Sequence, residues 1–361
     1  MSVQVAAAGI AAEVDAIGGF LTFRVEDGGR VIDMLHRAPW IGRDEAFPGD
    51  MPAHLAGLRG DFFCAPFSDA SRESAPLHGW TANGVWAPLE TEPESGGASA
   101  CWRLKRLALG AEVFKQVTLR DGHPFVYQKH VFRGGAGRWP VANHAMIAVG
   151  EGAIVSASSK RAWVTPPDAL ESDPAMGRSW LTYPALADGP GTFPAAGGGT
   201  ADLGRLPFAE AHEDFVIAVE DAASRLAWTA VVRPAQGDLY LSLKDARRLP
   251  LTMFWHSNGG RRYAPWNSRH TGVLGVEEGV GFDEGFLPET LRAAMRSDGQ
   301  PLALALSADR TTEVRHAIGQ IDWPSGARVA DIRLAGGTVE IEGEDGSRRD
   351  IPVWKGFLPE S

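Results

Sequence analysis

Three well-separated segments carry side chains that can move protons: Leu77-His78-Gly79-Trp80 with Asn83 and Trp86, Asn143-His144-Ala145, and Gly275-Val276-Glu277-Glu278. Two imidazoles and a carboxylate are the groups from which general acid and base catalysis is built. Isolated histidines in β proteins more often satisfy a backbone partner than catalyse. Glu277 ends the apolar run Val273-Leu274-Gly275-Val276, an awkward place for a solvated charge, so burial with a chemical purpose is the expected reading. Glu278 is one residue further along an extended chain and therefore faces the other way. It is expected to be structural.

The run Trp255 to His270 packs indole, imidazole, amide and guanidinium groups into one connection. Polar groups matched to hydroxyls, plus an indole to stack on a C–H face, are what a carbohydrate cleft supplies. Trp266, Asn267, Arg269 and His270 lie nearest in sequence to Glu277 and are expected at the site, whereas Arg262 is expected to pair with local acids. A zinc site from His256, His270 and Glu277 is a remote alternative, because the spacing is not that of a local ligand motif.

The elements that must position these groups read as β-strands. Val113–Leu119 and Phe125–Phe132, separated by Arg120-Asp121-Gly122-His123-Pro124, form a hairpin pattern. Similar strands are expected at 20–25, 215–220, 226–233, 239–243, 302–307 and 329–334, the last turning at Gly336-Gly337 into 338–342. One short helix is expected over Pro288–Arg296, with acid early and arginine late as the helix dipole prefers. The Gly/Pro/Ala-rich stretch from Pro184 to Gly204 reads as a single long loop, of the kind that often walls a binding site. With 43 Gly, 24 Pro and 12 Trp in 361 residues, and no strand-helix alternation or nucleotide-binding fingerprint, the expectation is an all-β chain. It is a large antiparallel supersandwich with few short helices, forming one domain over residues 1–361.

A net charge of −10 and a pI near 5.5, with scattered Lys and Arg, exclude the clustered positive field that nucleic-acid or membrane-surface partners require. The N-terminus lacks a basic region and a long apolar core of a leader, and Cys64 and Cys101 have no metal or disulfide-framework spacing. A cytoplasmic protein with reduced thiols follows as an expectation.

The motifs together resemble the aldose 1-epimerase, or galactose mutarotase-like, superfamily. Pro76-Leu77-His78-Gly79-Trp80 is similar to its first histidine motif, Val141-Ala142-Asn143-His144 to its Asn-His strand, and Val273 to Gly279 to the strand that delivers its glutamate. Residues after His144 depart from the family's aromatic continuation, which bears on sugar choice. The resemblance implies Glu277 as general base, His144 as the acid that protonates the ring oxygen, and His78 as a hydrogen-bond donor to the developing carbonyl. It further implies Asp214 and Arg59 as substrate-binding residues, with a surface ion pair from Arg59 to Asp61 as the alternative. Asn83 and Trp86 join the substrate-binding set.

Sugar ring opening needs a base at the C1 hydroxyl and an acid at the ring oxygen, and no metal, nucleotide or covalent nucleophile. The expected activity is therefore interconversion of sugar anomers. A carbohydrate-binding protein on the same fold is the competing class. An isomerase for an acidic sugar is another, prompted by Arg59, Arg72, Arg261 and Arg269. The oligomeric state is not legible.

Overall fold

The computed structural model describes residues 2–43, 45, 47–49, 51–89, 95–281 and 286–360. Two large antiparallel sheets face one another, as the alternating and apolar segments require. The first has eleven strands. At its centre Val273–Val280 runs between Val141–Ala148 and Leu251–Asn258; beyond the latter come His212–Glu220 and Lys160–Thr165, and beyond the former Asp61–Cys64 and Leu21–Asp27. The second sheet has nine, ordered through Ala153–Ala157, Leu226–Arg233, Asp238–Asp245, Thr311–Asp322, Phe125–Gly134, Ala111–Arg120 and Gly97–Leu104. The expected hairpin pairs Ala111 with Gly134 through Leu119 with Val126. Val329–Ala335, Thr338–Gly343 and Arg348–Pro352 form a separate three-stranded sheet whose Ile332, Val339 and Ile351 pack on Trp228, Leu241 and Ile321 of the second sheet.

Between the large sheets lie Val141, Ala145, Val216, Phe254, Leu274 and Val276 from one side and Val117, Val126, Val231, Tyr240 and Ile318 from the other. The first sheet is also covered on its outer face. Phe62, Met146, Phe215, Met253 and Trp255 bury against Trp40, Leu58, Phe67, Trp266 and the helix Glu289–Ser297. This double burial explains why its central strands are apolar runs without clean alternation. The helix expected over Pro288–Arg296 forms one residue later, with Pro288 as N-cap. No helix among the described residues is long and apolar enough to cross a membrane.

The Pro184–Gly204 stretch is not one structureless loop. Short strands Ala185–Ala187, Phe193–Pro194 and Thr200–Ala201 lie within it, and Phe193, Ala201 and Leu203 enter the inter-sheet core. Three apolar anchors outweigh the loop-forming glycines.

One group of charged side chains buried between the sheets is paired. Lys244 contacts Glu278 at 2.5 Å and Glu220 at 2.8 Å, Lys160 contacts Glu220 at 2.7 Å, and Ser242 donates to Glu278 at 2.9 Å. Two cations and two anions balance inside a low-dielectric layer, where losing one partner strands the other. Glu278→Gln is therefore expected to cost about 3 kcal/mol of stability, measured by urea unfolding.

Candidate functional site

Antiparallel pairing of Val141–Ala148 with Val273–Val280 sets His144 opposite Glu277 on the outer face of the first sheet. Nε2 of His144 lies 3.2 Å from Oε1 of Glu277. Both residues are buried, His144 at 5% exposure and Glu277 at 1%. The carboxylate fits because position 275 is glycine: a Cβ there would meet Glu277 Oε1 and Trp255 Cβ at 2.9 Å each. His144 is held by a ring stacked on Phe62, centroids 4.5 Å apart, by the edge-on Trp255 at 5.7 Å, and by a bond from its backbone N–H to Asp61 Oδ1 at 2.9 Å.

His78 enters from outside the sheet. It caps the short helix Gly79–Asn83 in a left-handed conformation, φ 65°, and Gly79 follows at φ 73° with its Cα against the Ala65 carbonyl, where a Cβ would stand 2.2 Å from the oxygen. That close approach accounts for the His-Gly pair. Nδ1 of His78 accepts from the Ser68 N–H at 3.2 Å, which places the ring proton of the neutral form on Nε2. Its ring lies 5.6 Å from that of His144 and nearly perpendicular to it. The structure thus brings His78, His144 and Glu277 together.

Asn83 is one step behind. Its Oδ1 accepts from the His54 backbone at 3.0 Å and sits 3.1 Å from His54 Nδ1, while its amide donates to the Leu77 and Gly79 carbonyls. His54, 1% exposed and 5.0 Å from the His78 ring, is a third histidine of the cluster. Sequence reasoning missed it, since Pro52-Ala53-His54-Leu55 carries no pattern that marks a site.

The other expected residues are spread more widely. Trp86 lies in the core between the sheets with its indole donating to the Thr81 carbonyl, on the side of the first sheet away from Glu277 and not with the expected substrate-binding set. Asp214 also points away, accepting from the Trp180 and Leu181 N–H groups and the Tyr183 hydroxyl and lying 2.7 Å from His212 Nδ1. Its neighbour Glu213 faces the site side instead and accepts from Trp255 Nε1 at 2.5 Å and Ser257 Oγ at 3.0 Å. One-residue alternation puts the two acids on opposite faces, but in a strand buried throughout it does not say which of them faces the site. Arg59 pairs with Asp15, not with Asp61, whose carboxylate instead binds Gln128 and the His144 N–H. Arg269 pairs with Glu45, and Asn267 is exposed in a turn. Trp266 is buried against Trp40, Trp255 and His270, and His270 stacks on Trp255 while Nδ1 meets Ser257 Oγ at 2.7 Å. Both support Trp255 from behind. His256 lies on the opposite face from Glu277, and no group of metal-ligating side chains occurs among the described residues.

Electrostatics favour an uncharged pair. Burial pushes Glu277 well above the usual carboxylate range, and burial followed by the nearby His54 pushes His144 down to about 3. Glu277 Oε2 and His144 Nδ1 have no partner among the described residues. The pair therefore holds one proton between two nearby atoms and presents two further polar atoms unsatisfied.

No family model and no curated protein matches the sequence. Solved structures do match in shape. A candidate aldose 1-epimerase from Escherichia coli K12 superposes with a TM-score of 0.54 at 11% identity, over 89% of this chain and 98% of that one. The chain has the galactose mutarotase-like fold. A galactose mutarotase related enzyme from Lactobacillus acidophilus gives 0.54 at 10% identity over 90% and 98%, and a Synechocystis sp. PCC 6803 protein gives 0.55 at 10% over 89% and 96%.

Neutral burial of histidines has a sign. Desolvation holds His36 and His54 at about 4 and His144 and His256 at about 3. As pH falls below 6.5 the unfolded chain takes up protons that the fold refuses, so this stability is full above that pH and is lost beneath it, at up to about 1.4 kcal/mol per pH unit for each histidine. Glu277 and Glu213, both raised by burial, act in the opposite sense, but the histidines outnumber them. Urea unfolding between about pH 7 and pH 4.5 is expected to show falling stability with net proton uptake on unfolding.

Proposed function

We propose that this protein interconverts the anomers of a neutral sugar, as an aldose 1-epimerase-like isomerase. The observation that carries the reading is the His144–Glu277 pair at 3.2 Å, buried among aromatic rings with one atom of each group unpartnered. In the resting protein the proton rests on the Glu277 carboxyl, hydrogen-bonded to His144 Nε2. Transfer across that bond gives carboxylate and imidazolium, a charged state that sugar hydroxyls replacing missing solvation would support. Glu277 Oε2 then takes the C1 hydroxyl proton while His144 Nδ1 donates to the ring oxygen. The C1 to ring-oxygen bond breaks, C1 becomes a carbonyl, and Nε2–H of His78 is the donor to its oxygen. Rotation about C1–C2 and reversal of the proton transfers close the ring on the other face, with every proton returned.

The arginines support a neutral substrate. Arg59 pairs with Asp15, Arg261 with Glu171 and Glu213, and Arg269 with Glu45, while Arg72 lies 4.4 Å over the Trp139 ring. Each guanidinium that prompted an acidic sugar already has a use. Two unbridged thiols, Cys64 and Cys101, fit the cytoplasmic reading.

Freshly dissolved α-anomers, neutral and phosphorylated, followed by polarimetry or NMR, test the activity. Glu277→Gln keeps shape and hydrogen bonding but cannot accept the proton, so interconversion is expected to fall by roughly 10²–10⁴ with binding largely kept. His144→Asn is expected to behave likewise. Full activity in Glu277→Gln would remove the base assignment, and sugar binding without interconversion by the native protein would make it a carbohydrate-binding protein instead.

A further inference from the structure

A second polar cavity lies on the other side of the first sheet. Along Leu251–Asn258, Met253 and Trp255 face the Glu277 side, so Phe254 and His256 face the inter-sheet side. There, where the strand Ala153–Ala157 of the second sheet comes opposite Lys160–Thr165, a cavity of about 260 Å³ is lined by Trp163, Phe254, His256, Lys160, Leu203 and Arg328. Asp188 and Pro190 of the Gly/Pro-rich stretch and Ser159 contribute at its exposed side. The stretch that reads in sequence as a binding-site wall thus walls this cavity.

His256 is 4% exposed, and neither ring nitrogen has a partner among the described residues. A neutral imidazole has one donor and one acceptor, and leaving both unmet in the interior is costly. It also lines an adjoining cavity of about 90 Å³. Trp163 and Phe254 stack with centroids 5.3 Å apart and 13° between planes, giving a flat apolar wall beside that imidazole. The two cations are already committed: Lys160 to both oxygens of Glu220, and Arg328 to the Val155 and Gly204 carbonyls. With those charges engaged and a carboxylate at Asp188, the lining favours a neutral ligand over an anion. A ligand that both donates and accepts through adjacent hydroxyls and lays C–H groups on an aromatic wall matches this lining.

We propose that this cavity binds one neutral polyhydroxylated six-membered ring, a monosaccharide or a cyclitol, with hydroxyls bonded to His256 and a ring face against the Trp163–Phe254 wall. The inference does not depend on the activity of the His144–Glu277 pair, which lies on the opposite face.

Histidine-ring NMR of the native protein, titrated separately with D-glucose and myo-inositol, reads this cavity directly. The His256 signals are identified by their loss in His256→Leu. Myo-inositol has no anomeric carbon, so a response to it owes nothing to ring opening. Saturable movement of the His256 signals with at least one probe is expected, unchanged in Glu277→Gln and weakened roughly tenfold or more in Ser159→Trp, which obstructs the cavity from an exposed position without touching the core. His256 signals that stay still with both probes, or that respond equally in Ser159→Trp, would overturn the proposal. Movement confined to His78 and His144 would overturn it too, while leaving the isomerase reading standing.

Discussion

The register between Val141–Ala148 and Val273–Val280 is the constraint on which the site depends. With His144 opposite Glu277, imidazole and carboxyl share the outer face of the sheet and touch. A slip of one residue would bring Glu278 to that face and carry Glu277 into the interior beside the lysines. Both faces of these strands are buried, so the slip would misplace every side chain of both cores at once. The geometry of the His144–Glu277 pair is thus protected by hydrophobic packing that has no chemical role of its own.

Two consecutive glutamates show how one sheet creates two electrostatic environments. Burial opposes ionisation of both. At Glu278 that cost is outweighed by Lys244 and then Lys160, which hold the carboxyl down to about 2. At Glu277 no cation answers, and burial alone drives the group well upward. A permanently charged carboxylate serves as a structural tie, whereas one whose proton is loosely placed can exchange it. The aromatic surround extends this logic: Phe62 and Trp255 exclude water from the pair, Glu213 fixes the Trp255 indole, and Ser257 links Glu213 to His270.

Particular residues show how far sequence reading reached. The hairpin at 111–134, the helix near 289–297 and the opposite orientations of Glu277 and Glu278 were legible because each follows from local periodicity and turn chemistry. Asp214 was not placed, because a strand buried on both faces has no polar side to reveal which way a side chain points; Trp86 was not, because its short strand joins the edge of the second sheet through a distant pairing. Glu213 and Asp214 are adjacent acids with opposite orientations, and only the pairing of Glu213 with Ser257 and of Phe215 with Trp255 distinguishes them. The ion pairs of the arginines were hidden for a related reason: their partners Asp15, Glu45 and Glu171 lie 44, 224 and 90 residues away, distances that composition cannot anticipate.

By itself the sequence determined an all-β chain and a glutamate stranded in an apolar run, since strand alternation, turn residues and local hydropathy are local properties, while the two histidines were marked by the resemblance of their motifs to the mutarotase-like superfamily. Tertiary structure decided everything that depends on contacts across strands. It added His54 to the cluster, gave Glu213 rather than Asp214 to the site face, and turned a glycine-rich stretch into the wall of a second cavity. Hydrogen-bond partners and desolvation are set by which distant segments pack together, and that information appears only when the chain has closed both of its cores.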